Sequence, residues 1–445
     1  MTRPRRSLDE FKDLAALEDL RPFTVRVAGL HPSDLADVLA ELDEGARARV
    51  VAELPTDVAS AALAEMEAAE HPEEMLLAVG PDYAADLVEQ LPSDDAADII
   101  AGLGPEDREA VLAEVTDRAG VERLLRYPED TAGGLMSTEV VAVREDATLA
   151  EAIEEIRRQS AESDALHQVY AVDPQGRLRG VLPIAKLVIT PPGRRVGDIM
   201  EAVPAAVAPE QDQEQVARIM ARYNVAAVPV VDPDGRLLGR VTFDDVIDVV
   251  EAEMTEDLLK FGGVSPAEAL GATWAGAVKS RLPWLGVNLV TAFLAGAVVY
   301  LFHDTVIQVV ALAVWMPVIA GMGGNAGTQA LAVTVRRLAL KQLPPDRALE
   351  VIRKEVLVGA VNGLANGIVV ALVATVVGGG AMLGLVVFLA MTGNLMVAGF
   401  AGAFIPILLE RFGVDPAIAS SIFVTTFTDV CGFVLLLGLG TALLL

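Results

Sequence analysis

The sequence has few of the residues on which enzymes and secreted proteins depend. It contains one cysteine, Cys431, which excludes an intramolecular disulfide. Its four histidines are scattered, and no phosphate-binding loop or nucleophile motif is present, so an enzyme is disfavoured. The opening MTRPRRSLDEFKD is basic but has no apolar run, so we expect no cleavable signal peptide and a cytoplasmic soluble part.

Charge is scarce in the last third of the chain. Only 8 of the 34 Lys and Arg residues and 7 of the 62 Asp and Glu residues follow position 280. The first 280 residues therefore carry 26 basic and 55 acidic residues, although the mean hydropathy of the whole chain is +0.45. This pattern predicts an acidic soluble part, which repels nucleic acid and attracts cations, followed by an apolar part.

Five apolar segments lie in the last part of the chain. They cover roughly 282–302, 305–324, 356–378, 381–409 and 417–445. Each has the ~20 residues that cross a hydrocarbon core of about 30 Å. Basic residues precede the first segment and fill the link between the second and third, which places those links in the cytoplasm. Five spans then leave the C-terminus outside.

One carboxylate, Asp429, lies within the fifth segment, and no Lys or Arg lies inside any segment to neutralise it. A carboxylate at that depth costs several kcal/mol unless it meets water, a partner or an ion. Thr425 and Thr426 precede it by four and three residues, so they share its helix face. We interpret this face as the lining of a hydrated cation pathway. A protonated Asp429 bonded to a neighbouring helix is the alternative.

The second segment runs into the glycine-rich stretch PVIAGMGGNAGTQ, residues 317–329. Its proline and four glycines predict a bent or unwound helix, which a membrane tolerates only where the backbone is buried or lines a cavity. Asn325 and Gln329 are four residues apart and would present amide oxygens on one face. Close helix packing through small residues is the alternative.

Residues 31–115 repeat a short unit: HPSDLADVLAEL, LPTDVASAALAEM, GPDYAADLVEQL, LPSDDAADIIAGL and GPEDREAVLAEV. Each copy has Pro near a helix start, an acid in the first turn and a 3.6-residue apolar pattern, which predicts a superhelical array of short helices. Asp94 and Asp98 form an acidic pair one turn apart. First-turn acids that only stabilise the helix dipole are the alternative.

A second repeat occupies residues 131–250. VDPQGRLRGVL at 172–182 matches VDPDGRLLGRV at 231–241 at an offset of 59 residues. Each copy predicts strand, helix, strand, turn, strand and helix, with DPxG as the hairpin turn. The pattern resembles a tandem pair of CBS domains, which often bind adenine nucleotides in their cleft.

The CBS resemblance implies one nucleotide site at most. Thr242 and Asp245 match the element that contacts ribose and phosphate, whereas Pro183 and Lys186 stand at the equivalent positions of the first copy. The sequence leaves open whether ATP binds, and a purely structural fold is the alternative.

The helix predicted after the second copy is strongly acidic. Seven carboxylates fall within 14 residues, with only Lys260 nearby to offset them: Asp244, Asp245, Asp248, Glu251, Glu253, Glu256 and Asp257. Like charges at spacings of three and four oppose helix formation by a few tenths of a kcal/mol each. We interpret the segment as a cation sensor on the covalent route to the first span. A solvated face is the alternative.

The order of these parts resembles the MgtE family of Mg2+ channels. Four motifs carry the resemblance: YPEDTAGGLM at 127–136, DDVIDVVEAE at 244–253, GNAGTQ at 324–329 and FVTTFTDVCGF at 423–433. The resemblance implies a multidomain homodimer. Its parts are an all-α superhelical N-terminal domain (1–130), an α/β tandem CBS pair (131–196 and 197–250), a connecting plug helix (251–278) and an all-α five-helix transmembrane domain (279–445).

The resemblance also implies metal ligands. Asp429 matches the pore aspartate of the family. The regulatory Mg2+ sites carry over to Asp94, Asp98, Gly134, Asp245, Asp248, Glu253, Glu256 and Asp257, to which Glu214 and Asp415 are added. Asn224 stands where an acid is expected, so one sensor site departs from the family pattern.

Together these features predict a Mg2+ channel for uptake across the bacterial inner membrane, closed by cytoplasmic Mg2+. Its expected partners are a second copy of the chain, membrane lipid and Mg2+ ions, without nucleic acid. Three alternatives stay open: an ion-coupled exporter of divalent cations, a CBS-regulated transporter of Mn2+ or Co2+, and a nucleotide-sensing membrane scaffold without transport.

Overall fold

Two units, Met1–Glu253 and Met254–Leu445, divide the chain in the computed structural model. The structure describes residues 6–66, 70–159, 168–264, 273–339, 341, 343–344, 347–416 and 420–445. The expected plug helix at 251–278 therefore lies partly outside the described residues, since 265–272 are not among them.

Short helices make up the beginning of the first unit. They are α1 (Arg6–Ala15), α2 (Arg21–Val27), α3 (Pro32–Ala40), α4 (Glu44–Glu53), α5 (Thr56–Ala64), α6 (Pro72–Val79), α7 (Pro81–Val88), α8 (Ser93–Gly102), α9 (Pro105–Glu114) and α10 (Arg118–Leu124). The five sequence repeats form α3, α5, α7, α8 and α9. Their apolar faces share one core, in which Leu39, Leu63 and Leu87 are fully buried. The all-α N-terminal domain is confirmed.

The tandem repeat at 131–250 folds into two α/β copies. The first contains β1 (Val141–Arg144), α11 (Leu149–Gln159), β2 (Val169–Val172), β3 (Leu178–Leu182) and α12 (Ile184–Ile189). The second contains α13 (Val196–Ile199), α14 (Gln213–Tyr223), β4 (Ala227–Val231), β5 (Leu237–Thr242) and α15 (Phe243–Phe261). Strand β2 pairs parallel with β1 and antiparallel with β3, and β4 pairs antiparallel with β5. The first strand expected in the second copy is reduced to one bridge, Val207 to Val230.

Both DPxG turns adopt the conformation that their glycines permit. Gly176 and Gly235 have φ values of +79° and +80°, in the left-handed region that favours glycine. Asp173 supports the first turn, because its Oδ1 accepts the backbone N–H groups of Gln175 and Arg177, each at 2.9 Å. The turn chemistry therefore sets the register of each hairpin.

Long apolar helices dominate the second unit. They are α16 (Trp274–Leu301), α18 (Ala311–Ala339), α19 (Ala348–Ala374), α20 (Gly380–Arg411) and α21 (Ser420–Leu444), with a short α17 (His303–Gln308) and a π-helical turn at Thr375–Gly379. Among the described residues, four helices are long and apolar enough to cross a membrane: Trp274–Leu301, Ala348–Val377, Gly380–Arg411 and Ser421–Leu444. The fifth long helix, α18, packs against α20 and α21.

The expectation for the second span is wrong in two respects. The segment at 305–324 is divided between α17 and α18, so it is not one helix. Helix α18 then continues without interruption from Ala311 to Ala339, with Pro317 and the glycines inside it, so the expected unwinding is absent. The alternative explanation, close packing, accounts for the glycines. A Cβ on Gly323 would meet Asn394 of α20, and one on Gly327 would meet Val424 of α21.

Glycines also bring α20 close to α19 and α18. A Cβ on Gly399 would lie 2.3 Å from the carbonyl oxygen of Glu355 in α19, and one on Gly402 would lie 2.5 Å from that of Gly327. The three helices therefore meet backbone to backbone, which is how helices associate in a membrane.

Gly399→Ala is expected to destabilise the second unit by about 1–3 kcal/mol, because the new methyl group must push α19 away from α20. Thermal unfolding of the purified protein in detergent measures the effect. Gly296→Ala in α16 is the matched control, since its added Cβ would have no described atom within 4 Å apart from the adjacent backbone of its own helix. Equal unfolding temperatures for the two variants would contradict the packing described here.

Candidate functional site

The start of α8 is attached to the loop that opens the first CBS copy. Ser93 Oγ donates to Glu139 Oε2 at 2.9 Å, and the backbone N–H of Thr138 donates to Ser93 Oγ at 2.8 Å. These bonds fix the first turn of α8, which carries Asp94 and Asp95, in the electrostatic range of the acids at the start of α15.

Asp94 lies at the centre of this acidic group. It is 9% exposed, and its Oδ1 has no hydrogen-bond partner among the described residues. Burial, followed by repulsion from Asp95 and Asp245, raises the pKa of Asp94 well above its ordinary value. A buried carboxylate without a partner is costly unless a proton or a cation joins it. The side chain thus fits a cation ligand.

Two further acids of α8 share this environment. Burial, then repulsion from Asp245, raises the pKa of Asp95 to about 7. Burial, then repulsion from Glu129 and Asp245, raises the pKa of Asp98 to about 7, although the residue still reaches the surface. Burial also raises the pKa of Asp245. The carboxylates of α8 and α15 therefore repel one another at neutral pH.

A cavity of about 220 Å³ opens beside Asp98 and is also lined by Glu129 and Gly134. Gly134 has no room for a side chain, because a Cβ would lie 2.5 Å from the carbonyl oxygen of Pro128. Arg108 lines the cavity too, but its guanidinium donates to three carbonyl oxygens at the end of α8. The structure thus places Asp98, Gly134 and Glu129 around one cavity.

Within the described ranges, no three His, Cys, Asp or Glu side chains are close enough to hold one metal ion directly. The described carboxylates of α8 and α15 lie in one region, but they do not converge on a single position that a directly bound ion could occupy. Mg2+ dehydrates reluctantly and usually keeps several waters, so this spacing fits an ion that is bound through its hydration shell.

Without divalent cations, the thermal stability of the first unit is expected to fall as pH rises from about 4 to about 7. Asp95 and Asp98 have pKa values of about 7 in the fold against an ordinary 3.8, so the folded state holds more protons in this window. Calorimetry of the full chain in detergent measures the trend, and the Asp95→Asn, Asp98→Asn variant should flatten it. Equal unfolding temperatures at about pH 5 and about pH 8 would contradict it.

The residues matched to a nucleotide site are bonded to each other. Thr242 Oγ1 donates to Asp245 Oδ2 at 2.7 Å, and the backbone N–H of Thr242 donates to the same oxygen at 3.3 Å. Asp245 therefore caps the first turn of α15 while it also faces the acids of α8. The Asp245 side chain thus both caps the start of α15 and belongs to the acidic group.

Three other regulatory candidates have different surroundings. Glu253 Oε1 accepts from Gln213 Nε2 at 2.7 Å, and Glu214 forms an ion pair with Arg218 one turn later in α14. Asp248 lies near enough to Asp245 to raise its pKa, though by less than burial does. The structure therefore places Asp248 near Asp245 within α15, and it pairs Glu214 with a base.

A second acidic group lies in the second unit and contains a lysine. We call Glu256, Asp257, Lys260 and Asp415 the Lys260 cluster. Lys260 Nζ bonds Asp415 Oδ2 at 2.8 Å and also contacts Glu256. Burial lowers the pKa of Lys260, but its bonds to Asp415 and Glu256 outweigh this and raise it to about 12. Burial, then repulsion from Asp415, raises the pKa of Asp257.

The pore candidates of α21 lie beside the glycines of α18. Asp429, Thr425 and Thr426 are half-buried. The methyl group of Thr425 is 4.0 Å from the position of a Cβ on Gly324. Thr426 Oγ1 donates to the carbonyl oxygen of Ile422 at 2.7 Å, so its lone pairs remain able to accept. This surface of α21 presents a carboxylate and hydroxyl oxygens together.

Asn325 and Gln329 do not join that surface within one chain. Both are exposed on α18, whereas Gly323 and Gly327 on the opposite face pack against α20 and α21. Their spacing of four residues does place them on one face, but that face is turned away from α21.

Several members of these groups have little signal in the sequence. Asp95 follows Asp94 directly, and helix spacing alone puts the two on different faces. Glu129 lies in the YPEDTAGGLM motif, where only Gly134 was singled out. Lys260 was noted as a lone base in an acidic helix, which is the one signal that could have indicated its position.

Three family models match separate parts of the chain. The model described as the MgtE intracellular N domain covers residues 30–130. The CBS domain model covers 132–189 and 196–252, and the model described as a divalent cation transporter covers 316–439.

Relatives match over most of the chain. The magnesium transporter MgtE of Thermus thermophilus is 40% identical over 75% of this chain and 74% of that protein. The magnesium transporter MgtE of Bacillus subtilis is 32% identical over 95% of this chain and 94% of that protein. The solved cytosolic domain of the Mg2+ channel MgtE in complex with ATP is 36% identical, with a TM-score of 0.50, and the match covers 55% of this chain and 98% of that one. The solved soluble part of a magnesium transporter is 27% identical over 56% of this chain and 98% of that one, with a TM-score of 0.51.

An acidic helical domain and a CBS pair ahead of a set of apolar spans define a class, the membrane transporters with a CBS-containing soluble part. Within that class, the chain belongs to the MgtE family of divalent cation transporters. The resemblance drawn from the four motifs is confirmed.

Proposed function

We propose that this protein is a Mg2+-selective channel for Mg2+ uptake, which closes when Mg2+ binds on its cytoplasmic side. Asp429 carries the proposal. It is the one carboxylate in the apolar helix α21, it is half-buried, and it shares a helix face with Thr425 and Thr426, of which Thr425 lies beside Gly324 of α18. The relatives named as magnesium transporters support Mg2+ as the cargo.

Permeation requires that the ion enter and leave easily. Two chains in a homodimer would bring two Asp429 carboxylates to one axis, where they hold Mg2+ through its waters with help from Thr425 and Thr426. Outer-shell binding avoids the cost of stripping water from Mg2+, and its weakness lets the ion leave.

Gating follows from the acids of α8 and α15. At low Mg2+ their carboxylates repel, so the helical domain and the CBS pair separate. At high Mg2+ the ions bridge Asp94, Asp98 and Asp245, and the closed arrangement is held. Several weak sites together can supply the ~5.5 kcal/mol that moves a two-state balance from 1:99 to 99:1.

The membrane orientation is part of the proposal. Arg336 and Arg337 lie in the last turn of α18 and Lys341 follows it, and the positive-inside rule places such an end in the cytoplasm. With five spans, this puts the first unit in the cytoplasm and the C-terminus outside, across the inner membrane of a bacterium.

ATP is proposed as a ligand of the second CBS copy, through Thr242 and Asp245. A related cytosolic domain solved in complex with ATP supports this. Calorimetry of ATP binding to the wild type and to Thr242→Val tests it, and equal affinities would remove these residues from the site.

Flux into liposomes tests the channel. Mg2+ entry is followed with an internal indicator, and the reversal potential is measured against the Mg2+ gradient. A channel follows the Mg2+ gradient alone, whereas an ion-coupled exporter shifts with the gradient of its coupling ion. Competition by Mn2+ and Co2+ measures the selectivity of the pathway. Absence of any flux would favour the alternative of a nucleotide-sensing membrane scaffold without transport.

A further inference from the structure

The last turn of α15 places a lysine among carboxylates that are assigned above to Mg2+. We propose that Lys260 is a built-in competitor of Mg2+, which holds this turn in place when Mg2+ is low and thereby sets the Mg2+ concentration needed for closure. The proposal rests on the proposed function, because it takes Mg2+ as the regulatory ligand.

In the Lys260 cluster, the ammonium group lies where a bound cation would lie, in contact with carboxylates. Lys260 Nζ bonds Asp415 Oδ2 at 2.8 Å across the link between α20 and α21, and it contacts Glu256 one turn earlier in its own helix. The lysine side chain is 18% exposed. Asp257 lies close enough for Asp415 and Lys260 to act on it electrostatically. The ammonium group of Lys260 therefore contacts two carboxylates and acts electrostatically on a third.

An apolar contact accompanies the ion pair. Phe261, the next residue, packs against the small apolar cluster formed by Leu331 of α18, Ala401 of α20 and Val424 of α21. Val424 directly precedes Thr425 and lies five residues before Asp429. The last turn of α15 is thus attached by its ion pair to the link that precedes α21, and by an apolar contact to the cluster that includes Val424 of α21 itself.

The ammonium group of Lys260 and a Mg2+ ion are alternative occupants of the Lys260 cluster. An ammonium is a compact charge with three donors on a flexible stem, so it satisfies carboxylates that later bind a metal. With Lys260 in place, the described acids are not spaced to hold one metal ion directly. A divalent cation must displace the lysine, which lowers the apparent Mg2+ affinity of the cluster.

An ordinary structural ion pair predicts a different result. If Lys260 only attached α15, its removal would loosen the helix with or without Mg2+ and leave Mg2+ affinity unchanged or weaker. A competitor predicts a looser last turn without Mg2+ but tighter Mg2+ binding. The direction of the change in affinity therefore separates the two.

Lys260→Met in the full-length protein in detergent is the test. Hydrogen exchange of residues 254–261 is followed against Mg2+ concentration, and calorimetry gives the Mg2+ affinity. We expect faster exchange without Mg2+ and a protection midpoint lower by roughly threefold to tenfold, the factor that corresponds to a partly exposed ion pair. An unchanged or higher midpoint overturns the proposal.

Three variants complete the design. Lys260→Arg keeps the charge and should keep the midpoint. Lys12→Met removes a lysine that pairs with Glu41 in the first unit, so it controls for the net charge of the chain. Asp415→Asn removes the main partner of Lys260 and one Mg2+ ligand, and should raise the midpoint, which keeps the idea testable if Lys260→Met fails to fold. Absence of Mg2+ protection in the wild type would instead contradict the proposed function.

Discussion

Asp429→Asn is expected to abolish Mg2+ flux into liposomes while the protein stays folded. The substitution keeps the size and shape of the side chain and removes one negative charge from each chain. A loss of about 3 kcal/mol in stabilisation of the ion, modest for a charge within a membrane, corresponds to roughly 100-fold or more in flux.

Folding should survive because the position does not depend on the charge. No Lys or Arg lies within α21 to be left unpaired. An amide in an apolar helix is also less costly than a carboxylate. Size-exclusion chromatography and thermal unfolding in detergent should match the wild type.

Two controls sharpen this experiment. Glu410→Gln removes an exposed carboxylate at the end of α20 and should leave flux within twofold, about the scale of a surface charge. Asp429→Glu keeps the charge and should retain measurable flux. Normal Mg2+ flux through folded Asp429→Asn would remove the residue from the pore and, with it, the observation that carries the proposed function.

Neutralising Asp94 and Asp98 together is expected to leave the open channel intact but to raise the Mg2+ concentration for closure about tenfold or more. The two asparagines remove carboxylates that hold the bridging Mg2+ ions, so a higher Mg2+ concentration is needed to hold the closed arrangement. A tenfold change corresponds to about 1.4 kcal/mol of lost coupling. Channel current against cytoplasmic Mg2+ measures the midpoint.

Helix α7 offers a matched control for that double variant. Asp82 and Asp86 have the same spacing of four residues, and both are exposed. The Asp82→Asn, Asp86→Asn variant removes the same charge from a neighbouring repeat and should leave the midpoint within twofold, as expected for surface charges. Equal shifts in the two variants would show that net charge, rather than the acids of α8 and α15, controls closure.

The regulatory residues show how far local patterns reach. Helix spacing identified Asp94 with Asp98 as a pair and the acids of α15 as a run. It could not indicate that Asp95 lies within electrostatic range of Asp245, about 150 residues later in the chain, or that Asp98 shares a cavity with Glu129, which lies beyond α9 and α10. Contacts at such separation depend on how the helical domain folds against the CBS copies.

The membrane segments also show which features a local pattern predicts and which depend on tertiary packing. Length and hydropathy located the apolar helices, because crossing a bilayer is a property of one segment. The prediction for α18 was wrong, because its proline and glycines indicated a bent or unwound helix whereas the helix is continuous. Its continuity comes from its neighbours, since α20 and α21 pack against the glycines that alone would weaken a helix.

The sequence by itself determined the order of domains, the short helical repeats, the paired DPxG hairpins and the lone carboxylate of α21, because each depends on residues within one or two helical turns or one hairpin. Only the tertiary structure decided that Asp94 is buried with an unpaired Oδ1, that Asn325 and Gln329 are turned away from α21, and that Lys260 lies among Glu256, Asp257 and Asp415. Burial and charge proximity are sums over distant segments, and the local pattern of a chain does not contain them.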